Sequence, residues 1–180
     1  QIRFEALSKL KTLDQFVPAR AAAAPHTEAL RQFDRRSNSW ERISYRDLNE
    51  RIQQWRKAFA KMNLPAGSRV AILLPNGVDA ICCDQAVLAN GCVPVPLHAI
   101  DTAGSSAFII SDSQACVLVT NRQSRWDAIY LSGVQMPDLK HIIFTDESTP
   151  QSRTPSICQW DLESWLAAGH GVSVLPEGPK

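Results

Sequence analysis

The sequence predicts an α/β fold, a mostly parallel sheet flanked by helices on both faces, with a small β-hairpin near the N-terminus. Three observations predict it. Short continuous apolar runs, RVAILL at 69–74, ACVLVT at 115–120 and HIIFT at 141–145, alternate with helix-length segments. The segment from Val78 to Asn90 is apolar nearly all round, with Asp79, Asp84 and Gln85 its main polar interruptions, as in a helix covered on more than one side. Two alternating stretches flank Arg35-Arg36-Ser37-Asn38-Ser39, the pattern of a hairpin.

In chain order, Phe4 to about Ala24 is helix-prone, and Pro25 breaks it. The hairpin follows. Ser44 is placed to cap the next helix, with Asp47 three residues on as in a capping box. Leu48, Ile52, Trp55, Phe59 and Met62 then fall on one helical face. Asn63 suits a left-handed cap, and Pro65 and Gly67 stop the helix. After the buried strand Arg69–Leu74 and the helix Val78–Asn90, Gly91 fits a C-terminal cap. Cys92–Leu97 reads as a strand confined to an edge, because Pro94 and Pro96 cannot donate ladder hydrogen bonds. A short helix Ser105–Asp112, a strand Ala115–Thr120, a helix from Arg125 to about Gly133 and a strand His141–Thr145 continue the βα recurrence. The polar run Asp146–Ser156 reads as a loop, and Asp161 as the cap of a last short helix through Leu166. The whole is expected to form one domain, 1–180.

Composition narrows the function. The 180 residues are 44% hydrophobic and 21% charged, with a net charge of +1. Such a balance gives no general attraction to nucleic acid or anionic membrane. No apolar run reaches the ~18 residues of a membrane span, and the mixed-charge N-terminus lacks a signal-peptide core. The five cysteines are odd in number and show no C-x-x-C spacing, so neither a disulfide framework nor a zinc site is expected. A cytoplasmic location follows as the expectation.

Few residues carry chemistry. The turn Pro75-Asn76-Gly77 stands where a phosphate loop could be, but one glycine and a proline suit a strand-to-helix join better. His26, His98, His141 and His170 are isolated, without a partner at i+4. His98 alone follows the end of a strand, facing the crevice in which parallel sheets bind ligands. It is a crevice candidate, or else a solvated loop residue. Arg122 and Arg125 also follow a strand and open a helix. Two guanidiniums at this spacing can face one way and suit phosphate, or can simply be solvated. No nucleophile elbow, metal motif or paired catalytic carboxylates are present, so no catalytic residue and no metal ligand is assigned.

With these elements in place, the chain resembles the N-terminal part of the adenylate-forming (AMP-binding) superfamily. The likeness is greatest to long-chain fatty-acyl-CoA synthetases. It rests on Ser44-Tyr45 with Leu48, Gly67-Ser68-Arg69-Val70-Ala71-Ile72 with Pro75-Asn76, and Gly91-Cys92-Val93 with Pro96-Leu97. The downstream segment IISDSQACVLVT at 109–120 also matches, and the resemblance covers about residues 15 to 145. The family's Ser/Thr/Gly-rich phosphate loop is not found in the 180 residues. Neither are its adenine and ribose motifs, nor the mobile C-terminal domain with its catalytic lysine. The tail Glu177-Gly178-Pro179-Lys180 echoes only the end of the phosphate loop.

The resemblance therefore implies an N-terminal fragment of a larger ATP-dependent fatty acid–CoA ligase, inactive by itself. Its partners would be the nucleotide-binding core, the C-terminal domain and a fatty acid. ATP, magnesium and coenzyme A would serve the full enzyme, with none held by this chain alone. By the same resemblance, Arg122 and Arg125 are placed to contact coenzyme A phosphates. The alternatives are a fatty-acyl-AMP ligase or peptide-synthetase adenylation domain, or a non-catalytic α/β binding or assembly module.

Overall fold

The computed structural model describes residues 8–34, 37–146, 156–176 and 178. Leu13–Gln15 form one 3-10 turn, and helix α1 runs over Phe16–Ala23. The helix expected from Phe4 onward is corrected here: residues 8–12 are not helical, and 1–7 lie outside the described residues. Pro18 explains the late start. It has no N–H, and it sits within the first turn of α1, where that donor would have no partner in the helix.

Strands β1 (Glu28–Asp34) and β2 (Ser39–Ser44) form the expected antiparallel hairpin, although residues 35 and 36 of its turn lie outside the described residues. Ser44 then caps α2 (Tyr45–Lys61). Its Oγ accepts from the Asp47 N–H at 3.2 Å, and the Asp47 carboxylate accepts from the Ser44 N–H at 3.2 Å. These hydrogen bonds with Ser44 hold the Asp47 carboxyl below the usual range. Leu48, Ile52, Trp55 and Phe59 are buried as the stripe predicts, joined by Ala58. Asn63 takes the left-handed conformation, with φ of 51°.

A five-stranded parallel sheet follows: β3 (Arg69–Leu73), β4 (Val93–Pro96), β5 (Val117–Thr120), β6 (His141–Phe144) and β7 (Cys158–Asp161). The spatial order is β4-β3-β5-β6-β7. The helices between are α3 (Val78–Ala89), α4 (Ala103–Asp112), α5 (Gln123–Leu131) and α6 (Leu162–Ala168). The edge position of β4 has a clear cause. Val93 and Leu97 donate their N–H groups toward β3, so the intervening Pro94 and Pro96 fall where an amide would point away from the sheet.

Alternate residues of the strands feed two cores. Val70, Ile72, Val117, Val119 and Ile143 face one side, beneath α2, α3, α6 and the hairpin residue Ile43. Ala71, Leu73, Leu118, Ile142 and Phe144 face the other, beneath α4 and α5. On the first side Trp165 of α6 meets Trp55 and Phe59 of α2 edge-on, with ring centroids 5.4 and 4.8 Å apart. Gly169, just past α6, lies so close to α2 that a Cβ there would stand 2.6 Å from the Ala58 backbone nitrogen.

Strand β7 was not predicted. Its residues Cys158-Gln159-Trp160-Asp161 are partly exposed and show no apolar run. Most of the polar loop expected at Asp146–Ser156 lies outside the described residues.

Candidate functional site

The chain passes from β3 to β4 on one side, then returns to place β5 on the other side of β3. The carboxyl ends of β3 and β5 therefore diverge at a topological switch point, where open α/β sheets bind their ligands. Leu74–Gly77 leaves β3 there and Asn121–Arg122 leaves β5, with Thr145–Asp146 beside them at the end of β6. The hairpin closes over these loops, leaving a cleft of about 810 Å³. Phe33 and Trp40 line it from the hairpin, and Asp79, Asn121, Arg122 and Asp146 from the sheet side.

One bond seats the hairpin. The Gln32 Oε1 accepts from the Val78 N–H at 2.8 Å, meeting a donor at the start of α3 that has no partner within the helix. Gly77 leaves room for it, since a Cβ there would stand 2.8 Å from the same oxygen. The Pro75-Asn76-Gly77 turn thus joins β3 to a buried helix and also forms part of the cleft wall.

Asp146 is the hub of the polar side chains. It accepts from Asn121 Nδ2 at 3.2 Å and from Thr145 Oγ1 at 2.9 Å. Arg122 Nε stands 4.0 Å away, on a side chain 65% exposed. Asn121 is only 6% exposed, and its Oδ1 has no hydrogen-bond partner among the described residues. Burial, and secondarily the charge of Asp146, raise the Asp79 carboxyl above the usual range.

Of the residues singled out in the sequence, Arg122 lines the cleft. Arg125 lies in the first turn of α5, is partly buried and is not among the lining residues. His98 is exposed at the end of edge strand β4, away from the cleft lining, and its N–H donates to Asp101 Oδ2 at 3.3 Å. His141 begins β6 at the opposite end of the sheet, and burial lowers its pKa. All five cysteines are free. Burial pushes Cys82 up to about 12 and Cys83 well above the usual thiol range, so neither supplies a thiolate at neutral pH. Asp79, Asn121 and Asp146 were missed, although Asn121 and Asp146 stand at strand ends as His98 does.

Comparison with known proteins adds the following. The sequence model of the family described as AMP-binding enzyme matches residues 17–170. A crotonobetaine/carnitine–CoA ligase of Escherichia coli (strain K12 / DH10B) is 32% identical over 109 residues, 61% of this chain and 21% of the relative. The A domain of a carboxylic acid reductase from Segniliparus rugosus, in complex with AMP and a co-purified carboxylic acid, is 17% identical with a TM-score of 0.75. That match covers 97% of this chain and 32% of the other. A Mycobacterium tuberculosis fatty acyl CoA synthetase is 21% identical with a TM-score of 0.61, covering 92% and 29%. The structural likenesses show a shared fold. The match spans about a fifth of the length of the curated relative.

Proposed function

We propose that this chain, which belongs to the AMP-binding enzyme family, is one folded unit that forms the N-terminal lobe of an ATP-dependent fatty acid–CoA ligase. The observation that carries this reading is the sequence likeness to a curated CoA ligase within the family match. In such a ligase a carboxylate oxygen attacks the α-phosphorus of ATP and pyrophosphate leaves. The thiol sulfur of coenzyme A then attacks the acyl carbon, forming the thioester as AMP departs with the former carboxylate oxygen. The fatty acid is the acid that the resemblance to fatty-acyl-CoA synthetases implies.

In this reading the switch-point cleft is one wall of the reaction crevice. Arg122, at its rim, is the first candidate for a coenzyme A phosphate, and Arg125 and His98 are outer candidates. Cations near developing or resident phosphate charge are the chemistry such a crevice needs. Magnesium would enter with ATP. Among the described residues no three His, Cys, Asp or Glu side chains gather as a metal site, so no step is assigned to a metal held by this chain. No described helix is long and apolar enough to cross a membrane. Five free cysteines suit a reducing cytoplasm. A second reading, an adenylation domain that hands its acyl group to another acceptor, draws on the likeness to the reductase A domain.

Two measurements test the proposal. The 180-residue chain alone should give no ATP–pyrophosphate exchange above the blank with any fatty acid, and measurable exchange would overturn its inactivity. The protein expressed from the complete gene should release AMP only when ATP, a fatty acid and coenzyme A are all supplied, with acyl-CoA as product. Acid-dependent ATP–pyrophosphate exchange without acyl-CoA formation would favour the second reading. Failure of every acid tested would refute both.

A further inference from the structure

We propose that the outer face of the hairpin is a platform for a nucleoside phosphate, its base stacked on Trp40 and Phe33 and its phosphate held between Arg31 and Arg42. The strand register brings these four side chains together. Phe33 stands opposite Trp40, and Arg31 opposite Arg42. Side chains alternate along a strand, so both pairs lie on one face, two residues or about 7 Å apart. A nucleotide spans a similar distance from its base to its phosphate. The other face of the hairpin turns inward. There Ile43 enters the core, Gln32 accepts from the Val78 N–H, and Glu41 accepts from Arg51 at 2.6 Å. Those contacts hold the platform on the body of the fold.

The protein leaves each pair incomplete. Phe33 and Trp40 meet edge-on with ring centroids 5.5 Å apart, and they remain 43% and 63% exposed. Aromatic rings this open to solvent are surfaces on which a base stacks. Arg31 and Arg42 are like charges directly opposite one another, an arrangement that costs stability. Glu28 offsets only one of the two. Its carboxylate meets the Nε of Arg31 at 2.6 Å and the Nε of Arg42 at 3.4 Å. Among the described residues, the terminal nitrogens of the two guanidiniums have no hydrogen-bond partner. Two arginines and one carboxylate leave a charge of +1 on the face. A phosphate can accept from both guanidiniums at once and so relieve their repulsion. Arg31, Phe33 and Trp40 also line the cleft, whose carboxylates Asp79 and Asp146 come from the opposite, sheet wall. The sign of the charge agrees with that of Arg122 on the same cleft. The small scale of the patch selects a single small ligand. Anionic membranes are held by clusters of about 4–8 Lys/Arg, and affinity for a polynucleotide grows with the number of phosphates neutralised.

The test is an NMR titration of the chain, resolved at the amide, indole and guanidinium N–H signals, with AMP and separately with coenzyme A, which carries an adenosine nucleotide at one end. Adenosine, ribose 5-phosphate, a single-stranded oligonucleotide and anionic phospholipid vesicles are titrated in parallel at matched ionic strength. The expected result is saturable movement of the Trp40 indole N–H and of the Arg31 and Arg42 Nε–H. The tighter of AMP and coenzyme A identifies the source of the nucleotide. Adenosine and ribose 5-phosphate should each bind at least tenfold more weakly. Trp40→Ala and the double variant Arg31→Gln/Arg42→Gln should each weaken the affinity at least tenfold. The replaced side chains are exposed, and the amide spectrum shows whether each variant is folded. If Trp40→Ala unfolds the chain, the arginine variant is read instead, with the same tenfold loss required. The proposal is overturned by no saturation with either nucleotide or by equal binding of adenosine or ribose 5-phosphate. It is equally overturned by preferential binding to the oligonucleotide or the vesicles, or by an unchanged affinity in a folded variant. The titration holds no fatty acid and reads no product, so its outcome stands apart from the ligase reading.

Discussion

Removing one oxygen should undo the contact that seats the hairpin over the cleft. Gln32 Oε1 accepts from the Val78 N–H at 2.8 Å, and a Cβ on Gly77 would stand 2.8 Å from that same oxygen. Gln32→Ala leaves a buried helix-start donor unmet, which costs about 1–2 kcal/mol. Gly77→Ala should cost about the same by another route. The atom it strikes is the far end of a flexible side chain, so Gln32 can swing aside, but the bond goes with it. Gly77 is extended, at φ 170°, and alanine adopts that conformation without strain. Two local effects of the new alanine, weaker capping and a less flexible unfolded chain, oppose each other. In the Gln32→Ala background, then, Gly77→Ala should be nearly neutral. The double variant should lose about 1–2 kcal/mol, not twice that. Urea unfolding reads this directly. With a slope of about 2 kcal/mol per molar, each single variant shifts the midpoint by roughly 0.5–1 M. Additive losses, agreeing within about 0.5 kcal/mol, would show that the two residues do not meet through this oxygen and would refute the reasoning.

Gly169→Ala should destabilise more stubbornly, because the atoms its Cβ would meet, at 2.6 to 2.9 Å, are backbone of Lys57 and Ala58 in α2. Overpacking of about 1–3 kcal/mol should lower Tm by roughly 3–10 °C in thermal unfolding, and an unchanged Tm would place α6 further from α2. Asp79→Asn should stabilise the chain at pH 7 and have no such effect at pH 3. The native carboxyl is raised above the ordinary 3.8. Between 3.8 and the native value, the folded chain holds a proton that the unfolded chain releases, so stability falls as pH rises through that window. Urea midpoints of both proteins at the two pH values check the sign, and a larger gain at pH 3 would contradict it.

The elements readable from the sequence were those whose physics is local. Ser44 with Asp47, the stripe from Leu48 to Phe59, and Pro94 and Pro96 on an edge strand each act within a few residues of themselves, and the structure has all of them. Two readings depended on longer context and went astray. The N-terminal helix was drawn through residues whose apolar spacing allows it, but α1 begins at Phe16, with Pro18 in its first turn. Strand β7 escaped because Cys158–Asp161 has no apolar run. It becomes a strand by pairing with β6, from His141↔Cys158 to Phe144↔Asp161. Pairing of that kind is a tertiary effect that overrides local preference.

The cleft was more legible than the choice of candidates suggests. Side-chain type drew attention to His98 and the two arginines, whereas the position of a crevice depends on strand order. The order was partly implied by the prolines. With Pro94 and Pro96 directed away from β3, β4 can have a neighbour on one side only. The next parallel strand to join β3 must then take its other side, which puts the reversal between β3 and β5. Residues just past those two strands, Pro75 to Gly77 and Asn121 to Arg122, are the ones that the switch point exposes to a ligand. His98 ends the outer strand and so lies one strand away from it. What could not be read was the company these residues keep. Asp146 reaches Asn121 across 25 positions of sequence, and Gln32 reaches Val78 across 46. Those two bonds turn a strand end and a hairpin into one polar cleft, and both depend on the folded sheet to bring their partners together.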